Sequence, residues 1–201
     1  MKKIINNVFE RKLKYDNVIV LTYKIEYPSI RYYNIFNKYN LKIAFDLKEK
    51  CETELFNEAV ELYKNNKKNG YPIMVYEIVK DYHITYNENN MISLYSNEYI
   101  FSGGAHGNTI RTSQTWNLNY QRMIPLYYFF DNNPYFIINV LKKINNQIKE
   151  NPENYFDNYC DLVLQTFNEK NFYITQKNII IYFQQYDIAP YSSGIPTFEV
   201  K

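Results

Sequence analysis

The residues best suited to do chemistry lie in one short stretch, 101–108, which reads Phe-Ser-Gly-Gly-Ala-His-Gly-Asn. It holds three of the five glycines of this 201-residue chain and one of its two histidines. An average chain of this length carries about fourteen glycines. In a chain so poor in glycine, such a cluster indicates positive φ angles or a very close approach of the backbone to another group. The candidate site residues here are Ser102, Gly103, Gly104, His106 and Gly107.

The spacing of the glycines and the element that follows them limit the kinds of site that this stretch could form. It has neither the Gly-x-Gly-x-x-Gly spacing nor the Gly-Lys-Ser/Thr ending of phosphate-binding loops. A strand is predicted after it, so no helix N-terminus would follow to hold an anion. A structural or binding role is therefore favoured, with no catalytic residue, metal ligand or cofactor assigned. The alternative is a hydrolase-like or metal-dependent site around His106, which needs a carboxylate from elsewhere in the fold.

A second candidate is the segment 186–196, Tyr-Asp-Ile-Ala-Pro-Tyr-Ser-Ser-Gly-Ile-Pro, which follows the most apolar run of the chain. A stiff loop that carries an aromatic side chain loses little conformational entropy on binding, which suits recognition. The candidate contact residues are Pro190, Tyr191 and Gly194. The alternative interpretation is a plain connection to a last strand at 197–200.

The remaining polar and sulfur-bearing side chains favour structural roles. His83 shares the polar face of a predicted strand with Asp81, which is typical of solvated residues. Cys51 and Cys160 each lie on an apolar helical stripe without nearby histidines, so we expect free buried thiols rather than a disulfide or a metal pair.

Composition excludes several classes of protein. Hydrophobic residues make up 46% of the chain, enough for a folded core. The net charge is only +2 and the lysines are scattered, so nucleic-acid binding has no electrostatic footprint. No apolar run approaches the roughly 20 residues needed to cross a membrane. The basic start of the chain has no apolar stretch behind it, which argues against a secretory signal, so the sequence as written predicts either a cytoplasmic protein or one from which an anchor has been removed.

Hydrophobic periodicity predicts the elements that must position these residues. Residues 8–28 alternate with a period of two, with a turn at 16–17. From 33 to 68 the apolar residues recur every four positions, which predicts one long helix with a possible break at 46–50 and a C-terminal cap at Gly70. Its expected buried face is Tyr39, Ile43, Leu47, Cys51, Leu55, Ala59 and Tyr63.

The rest of the chain returns to strands and then to helices. Strands are predicted at 73–86, 91–101 and 109–119, and a helix with its first residue at Pro134. A second helix over about 156–167 turns Phe156, Cys160, Val163 and Phe167 inward, and a hairpin pairs 172–175 with 178–188. The order predicts an α+β fold with antiparallel sheets packed against a long N-terminal helix and a pair of C-terminal helices. We expect two modules, 1–75 and 76–201, packed together as one compact unit.

Two stretches resemble a known pair of modules. They are 99–108, Tyr-Ile-Phe-Ser-Gly-Gly-Ala-His-Gly-Asn, followed by Trp-Asn-Leu at 116–118, and 183–194, Phe-Gln-Gln-Tyr-Asp-Ile-Ala-Pro-Tyr-Ser-Ser-Gly. Both are similar to the paired domains of unknown function in RsiV-type anti-sigma factors and PdaC-type peptidoglycan deacetylases. Residues 8–75 resemble the N-terminal module, and residues 85–200 resemble the C-terminal one with its Gly-Gly-Ala-His-Gly motif.

The resemblance implies an extracytoplasmic, non-catalytic binding module of a bacterial protein. In the anti-sigma factors the module binds lysozyme, and in the deacetylases it accompanies a domain that acts on cell-wall glycan. The implied partner is therefore a lysozyme-like protein or a cell-envelope glycan, met by 102–107 and 190–194. A structural protein whose loops merely close the fold remains a further alternative. The two loops would share one site only if they converged on one surface.

Overall fold

A computed structural model describes residues 1–131 and 133–201 of the chain. The described residues form nine strands in two sheets together with α-helices, which confirms the predicted α+β class. They divide into two compact units. The first unit comprises residues 3–82 and 97–109, and the second comprises 1–2, 83–96 and 110–201. The predicted modules 1–75 and 76–201 are stretches of sequence rather than contact-defined units, and they stay a prediction.

The elements follow in chain order. The strands are β1 (Ile4–Tyr15), β2 (Val18–Ile30), β3 (Tyr76–Glu88), β4 (Met91–Phe101), β5 (Asn108–Asn117), β6 (Arg122–Met123), β7 (Phe172–Ile174), β8 (Ile179–Tyr182) and β9 (Thr197–Glu199). The helices are α1 (Asn34–Glu52), α2 (Glu54–Asn69), α3 (Phe136–Ile148) and α4 (Tyr159–Thr166). Short 3-10 turns occupy Leu126–Phe130, Pro152–Asn154 and Tyr191–Ser193.

The first unit begins with the hairpin that the alternating residues predicted. β1 and β2 pair antiparallel from Ile4↔Ile30 to Tyr15↔Val18, with a bulge at Leu13/Lys14. Asp16 and Asn17 both have positive φ, 50° and 63°. A two-residue turn of this kind suits Asp and Asn, and its twist matches that of the strands. In this unit the strand order is β1-β2-β3-β4.

The long helix is present, but it breaks at Thr53 rather than at 46–50. The Thr53 hydroxyl donates to the Glu49 carbonyl oxygen at 2.8 Å, and its backbone N–H donates to the same oxygen at 3.0 Å. Back-bonding of a threonine hydroxyl competes with the helical ladder and bends helices. Gly70 caps α2 with φ 70°, as predicted.

The predicted buried face of this helix is right only beyond its first two turns. Leu47, Cys51, Leu55, Ala59 and Tyr63 are buried, as expected. Tyr39 is 39% exposed, so its prediction was wrong. In the first turns of α1 the buried positions are instead Phe36, Asn40 and Ala44. The prediction followed Tyr39 rather than Asn40, because Asn40 is polar and was not counted as a core residue. In the structure the Asn40 side-chain N–H donates to the Phe36 carbonyl oxygen at 2.9 Å.

One strand pairing departs from the predicted antiparallel sheets. β2 and β3 are parallel, from Leu21↔Tyr76 to Ile25↔Lys80. Two consecutive parallel strands need a crossover connection, and here α1 and α2 supply it. A pattern of strand, long helix and strand carries that signal, and the antiparallel expectation overlooked it.

Glu52 gathers three donors at the end of α1. Its Oε1 accepts from the Tyr23 hydroxyl at 2.6 Å and from Arg11 Nη1 at 2.9 Å, and its Oε2 accepts from Lys48 Nζ at 2.7 Å. The hydrogen bonds from Lys48 and Tyr23 lower the pKa of this carboxyl from 4.5 to about 2. Burial, together with the bond to Glu52, raises the pKa of Tyr23. The carboxylate therefore ties β1 and β2 to the helix.

We expect Glu52→Gln to destabilise the chain at pH 7 and to do so much less near pH 2. A carboxyl whose folded pKa is depressed stabilises the fold above its unfolded pKa, and this contribution is lost as pH falls from about 4.5 through about 2. Urea-unfolding midpoints of wild type and variant, measured across this range, check it. Glu49→Gln, at an exposed position of α1, is the matched control. A difference between wild type and Glu52→Gln that stayed constant with pH would contradict the assignment.

The second unit is built around a separate core. Residues 83–88 of β3 and 91–96 of β4 belong to this unit, where the strand order is β3-β4-β5-β6 in one sheet. The other sheet has the order β7-β8-β9. The predicted hairpin is confirmed by antiparallel pairs from Phe172↔Ile181 to Ile174↔Ile179, although β8 ends at Tyr182. All four residues of β8 are buried, as expected of the central strand of three.

The helices of this unit differ from the predictions at two points. α3 begins at Phe136 rather than at Pro134. The predicted start at 131–134 includes Asn132, which lies outside the described residues. Cys160 is exposed, so its prediction as a buried thiol was wrong, whereas Cys51 is a buried free thiol. α4 is only eight residues long and buries Val163 alone; Phe156 and Phe167 lie beyond its ends and are half-buried, and Cys160 lies in its first turn on a face that the described chain leaves exposed. In the first unit, burial raises the pKa of the Cys51 thiol to about 12.

None of the helices formed by residues 1–131 and 133–201 combines the length and hydropathy that a membrane-crossing helix needs.

Candidate functional site

The first candidate loop, Ser102–Gly107, connects β4 to β5 and is called the glycine loop below. It lies in the first unit, where its backbone packs on α2. Gly103 has φ +87°, and a Cβ added there would lie 2.5 Å from Leu62 Cδ2. The predicted positive φ and close backbone approach therefore meet at Gly103. Leu62 lies about two helical turns before the end of α2 that Gly70 caps.

Gly107 shows the closest approach in the glycine loop. It is buried, and an added Cβ would lie 2.6 Å from the Tyr99 hydroxyl oxygen and still nearer to the ring carbons. Gly104 differs from Gly103 and Gly107, because an added Cβ there would meet nothing closer than the His106 carbonyl oxygen at 3.8 Å; its φ, unlike that of Gly103, is not positive. Two of the three clustered glycines are therefore required by packing, and the third is open to substitution.

His106 is exposed at the tip of this loop. Its Nδ1 lies 3.1 Å from the Gly107 carbonyl oxygen, a distance at which the protonated nitrogen donates to that oxygen. Ser102 is also exposed. Within residues 1–131 and 133–201, the His, Cys, Asp and Glu side chains form no group of three or more that could hold a metal ion. The alternative of a hydrolase-like or metal-dependent site around His106 stays a prediction.

The second candidate loop, Pro190–Gly194, is called the proline loop below. It lies in the second unit and forms a single 3-10 turn, Tyr191–Ser193. Its N–H groups at Ser193 and Gly194 donate to the carbonyl oxygens of Pro190 and Tyr191, at 2.9 and 3.0 Å. Gly194 ends the turn with φ 66° and ψ −133°, a combination that only glycine adopts readily. The loop is therefore fixed by its own backbone.

The chain on either side holds the proline loop in place. The Ser193 hydroxyl donates to the Asn154 carbonyl oxygen at 3.0 Å. Upstream, the Gln184 N–H donates to Asp187 Oδ2 at 2.7 Å, closing a turn in which Tyr186 takes φ 67°. Burial raises the pKa of Asp187, and the bond from Gln184 opposes this rise.

This turn sets two tyrosines side by side. The rings of Tyr186 and Tyr191 have centroids 5.7 Å apart, and Tyr186 is 50% exposed. Tyrosine pairs of this kind offer a large, stiff contact surface with a polar rim. The proline loop thus carries an aromatic surface that the sequence predicted only through Tyr191. The two candidate loops belong to different units, and their convergence on one site stays a prediction.

A stacked cluster in the second unit was not predicted from the sequence. The guanidinium carbon of Arg111 lies 4.0 Å from the ring centroid of Tyr95 and 5.8 Å from that of Tyr182. The Tyr95 ring also lies 4.9 Å from the ring of His83 and 5.0 Å from that of Tyr173. His83 is exposed, as expected, but it stacks on an aromatic ring. The polar-face positions of consecutive strands carried the signal, since such positions become neighbours in a sheet.

Gln184 links this cluster to the segment that leads into the proline loop. Its side chain accepts from the Arg111 N–H at 2.9 Å and donates to the Arg111 carbonyl oxygen at 2.7 Å. The Tyr182 hydroxyl donates to Ser113 Oγ at 3.1 Å. Burial raises the pKa of Tyr182 to about 12, against the opposing effects of the Ser113 bond and the Arg111 charge. The Gln184 side chain therefore hydrogen-bonds both backbone polar groups of Arg111 in β5. This contact gives a structural role to a glutamine of the stretch 183–194.

Two family models match the chain in succession. Residues 14–109 match the model described as deacetylase PdaC, and residues 129–201 match a protein family of unknown function, DUF3298. The resemblance to a PdaC-type module followed by a domain of unknown function is confirmed, whereas the similarity to RsiV-type anti-sigma factors stays a prediction. The glycine loop falls in the PdaC match and the proline loop in the DUF3298 match, whereas the resemblance placed both in the C-terminal module.

Solved structures show the same fold. A DUF3298 family member from Bacteroides fragilis is 18% identical, with 99% of this chain and 90% of that chain covered and a TM-score of 0.67. A DUF3298 family protein from Pseudomonas aeruginosa is 13% identical, with 100% and 90% covered and a TM-score of 0.64. No curated protein matches the chain. The chain therefore carries a PdaC-like and a DUF3298-like segment on the DUF3298 fold.

Proposed function

We propose that this chain is a non-catalytic binding module of a bacterial protein, which recognises a lysozyme-like protein or a cell-envelope glycan through the glycine loop and the proline loop. The observation that carries the proposal is the preorganised proline loop. Its backbone is closed by its own hydrogen bonds, and it presents the Tyr186–Tyr191 ring pair beside exposed Ser192 and Ser193. A loop already held in its bound conformation loses little entropy when a partner binds.

The glycine loop supports the proposal in a different way. Gly103 and Gly107 let its backbone lie flat against Leu62 and Tyr99, so the loop exposes small residues, Ser102, Gly104 and Ala105, with His106 beside them. A surface of small residues admits a partner's own side chains or backbone at close range. Residues 14–109, which include the glycine loop, match the family model described as deacetylase PdaC, and this match is compatible with a role at the cell wall.

We expect Tyr191→Ala to weaken partner binding at least tenfold, because a partly buried tyrosine in a rigid loop is a typical binding hot spot. The measurement is surface plasmon resonance with immobilised chain and lysozyme as analyte, and sedimentation with insoluble peptidoglycan. Gly104→Leu tests the glycine loop, since the position is exposed and has room for a Cβ, and the leucine side chain would obstruct a partner. Tyr32→Ala, at a 77% exposed tyrosine outside both loops, is the matched control.

The outcomes separate the interpretations. If the folded wild type binds neither lysozyme nor peptidoglycan, the proposal loses its main support. If binding occurs but Tyr191→Ala and Gly104→Leu bind as tightly as Tyr32→Ala, the two loops are not the contact surface. Loss in only one of the two variants would assign the partner to that loop alone.

A further inference from the structure

A polar cleft of about 260 Å³ opens in the second unit, away from both candidate loops in sequence. It lies between the end of β5 and the 3-10 turn Leu126–Phe130, and we call it the tyrosine cleft. The lining side chains that matter here are Asn117, Tyr120, Arg122, Met123, Tyr127 and Tyr128. Asn117 belongs to the Trp-Asn-Leu stretch 116–118. The other five lie outside the sequence motifs, and the proposed function uses none of the six.

Three tyrosines around this cleft show their rings to solvent. Tyr120 is 70% exposed, Tyr127 is 47% exposed and Tyr128 is 54% exposed. The buried tyrosines, such as Tyr63 and Tyr182, are at most 6% exposed. Exposed rings gathered around one concavity are typical of a binding site, because each supplies a large apolar face at little cost in rotamer entropy.

Local contacts position Tyr120 and Tyr128 on the two sides of the cleft. The Tyr120 N–H donates to Asn117 Oδ1 at 3.2 Å, and the Arg122 guanidinium carbon lies 5.3 Å from the Tyr120 ring centroid. On the other side, the Tyr128 ring packs edge-on against Phe129, with centroids 5.5 Å apart. Because both walls are built from local contacts of the second unit, the cleft is preorganised.

The chemistry of the lining selects the ligand. Flat apolar ring faces contact the C–H faces of a sugar ring, while tyrosine hydroxyls and the Asn117 amide can exchange hydrogen bonds with sugar hydroxyls. Among the residues that line the cleft in the described part of the chain, Arg122 is the one that carries a charge. A guanidinium pairs with a carboxylate through two parallel N–H···O bonds. A single positive charge matches one carboxylate better than a polyphosphate.

We propose that the tyrosine cleft is a subsite for an oligosaccharide that carries a carboxylate, with Tyr120, Tyr127 and Tyr128 stacking on the sugar and Arg122 pairing with the carboxylate. The inference rests on the proposed binding function, because it names the ligand class of a second surface on the same module. It is independent of the two loops, so it can fail while they still bind a partner.

The test compares two soluble probes that differ in charge. One is the tetrasaccharide of N-acetylglucosamine, which is neutral, and the other alternates N-acetylglucosamine with N-acetylmuramic acid, whose lactyl group carries a carboxylate. Binding is followed by isothermal calorimetry and by the fluorescence of Trp116, the single tryptophan of the chain, which pairs with the lining residue Met123 across β5 and β6. We expect the carboxylate probe to bind about tenfold more tightly at low salt and to lose this advantage in 0.5 M salt.

The variants assign the two parts of the cleft. Arg122→Gln should reduce binding of the carboxylate probe to that of the neutral one, and Tyr128→Ala should weaken both probes about tenfold. Tyr135→Ala, at a 69% exposed tyrosine that does not line the cleft, should bind like wild type. All three positions are exposed, so circular dichroism should show an unchanged fold.

Three results would overturn the inference: no binding of either tetrasaccharide to folded wild type, equal binding by Arg122→Gln and wild type, or tighter binding of adenosine monophosphate than of the sugars. If Tyr191→Ala abolishes binding of lysozyme or peptidoglycan while neither tetrasaccharide binds the wild type or any variant, the proposed function stands and the cleft proposal is wrong. If the tetrasaccharides bind through Arg122 while the loop variants change nothing, the loop assignment falls and the cleft stands.

Discussion

Gly107→Ala is expected to destabilise the chain by about 2–3 kcal/mol, the upper part of the range for overpacked positions. The φ of Gly107 is not in the left-handed region, so the cost arises from packing alone. The new methyl group would occupy the space of the Tyr99 ring, and both the backbone of the loop and the ring would have to move. For a chain of this size the melting temperature should fall by roughly 5–10 °C, as measured by circular dichroism.

Gly104→Ala is the matched control, because it adds the same methyl group three residues earlier, where nothing lies within 3.8 Å. Its melting temperature should stay within about 2 °C of wild type. In the double variant Tyr99→Ala/Gly107→Ala the loss should be no greater than in Tyr99→Ala alone, since the ring that the methyl group meets is gone. Equal melting temperatures for Gly107→Ala and Gly104→Ala would show that the glycine loop yields freely, and the packing role of Gly107 would be wrong.

Glu98→Gln is expected to cost about 2–3 kcal/mol, because it leaves a buried ammonium group without its counter-charge. Lys80 is only 5% exposed, and its Nζ lies 3.5 Å from Glu98 Oε2 within the first unit. Breaking a buried ion pair by removing one partner is strongly destabilising. Glu98 is a quarter exposed, so solvent offsets part of the loss. Urea unfolding at pH 7 gives the free-energy difference.

Lys80→Met removes the other partner of the same pair and should cost clearly less. Methionine fills much of the same space, and the Glu98 carboxylate that remains can reach water. The double variant Lys80→Met/Glu98→Gln should recover most of the stability lost in Glu98→Gln alone, which isolates the interaction between the two side chains. If Lys80→Met proved the more harmful single change, the ammonium group would be solvated and the pair would not be a buried one.

These two predictions also separate folding from binding in the candidate site. Gly107 lies in the glycine loop and Glu98 lies in β4, the strand that leads into it. Both substitutions are nevertheless expected to lower the stability of the free protein. A loss of partner binding in Gly107→Ala would therefore follow from a disturbed loop. Gly104→Leu, at an exposed position where an added Cβ meets nothing closer than 3.8 Å, is the variant that reports on contact with a partner.

Much of the fold could be predicted because local periodicity and tertiary burial agree. The alternation in β1 and β2, the turn at Asp16 and Asn17 and the cap at Gly70 are all local signals, and all are confirmed. The errors fall where burial depends on distant chain. Cys160 lies on an apolar stripe of α4 but is exposed, because burial depends on what the rest of the chain packs against that position. The parallel pairing of β2 with β3 was missed because a pairing direction is a long-range property.

The sequence by itself determined the α+β class, the resemblance to the paired modules and the positions of the two candidate loops, because glycine and proline restrict the backbone locally. Only the tertiary structure decided which glycines matter. Gly103 and Gly107 are required by Leu62 and Tyr99, side chains 41 and 8 residues away, whereas Gly104 in the same cluster meets open space. The same holds for the tyrosines: in a chain with 23 of them, composition could not distinguish core rings from those of the tyrosine cleft. Exposure is set by what the rest of the chain brings against each ring, and no local pattern encodes that.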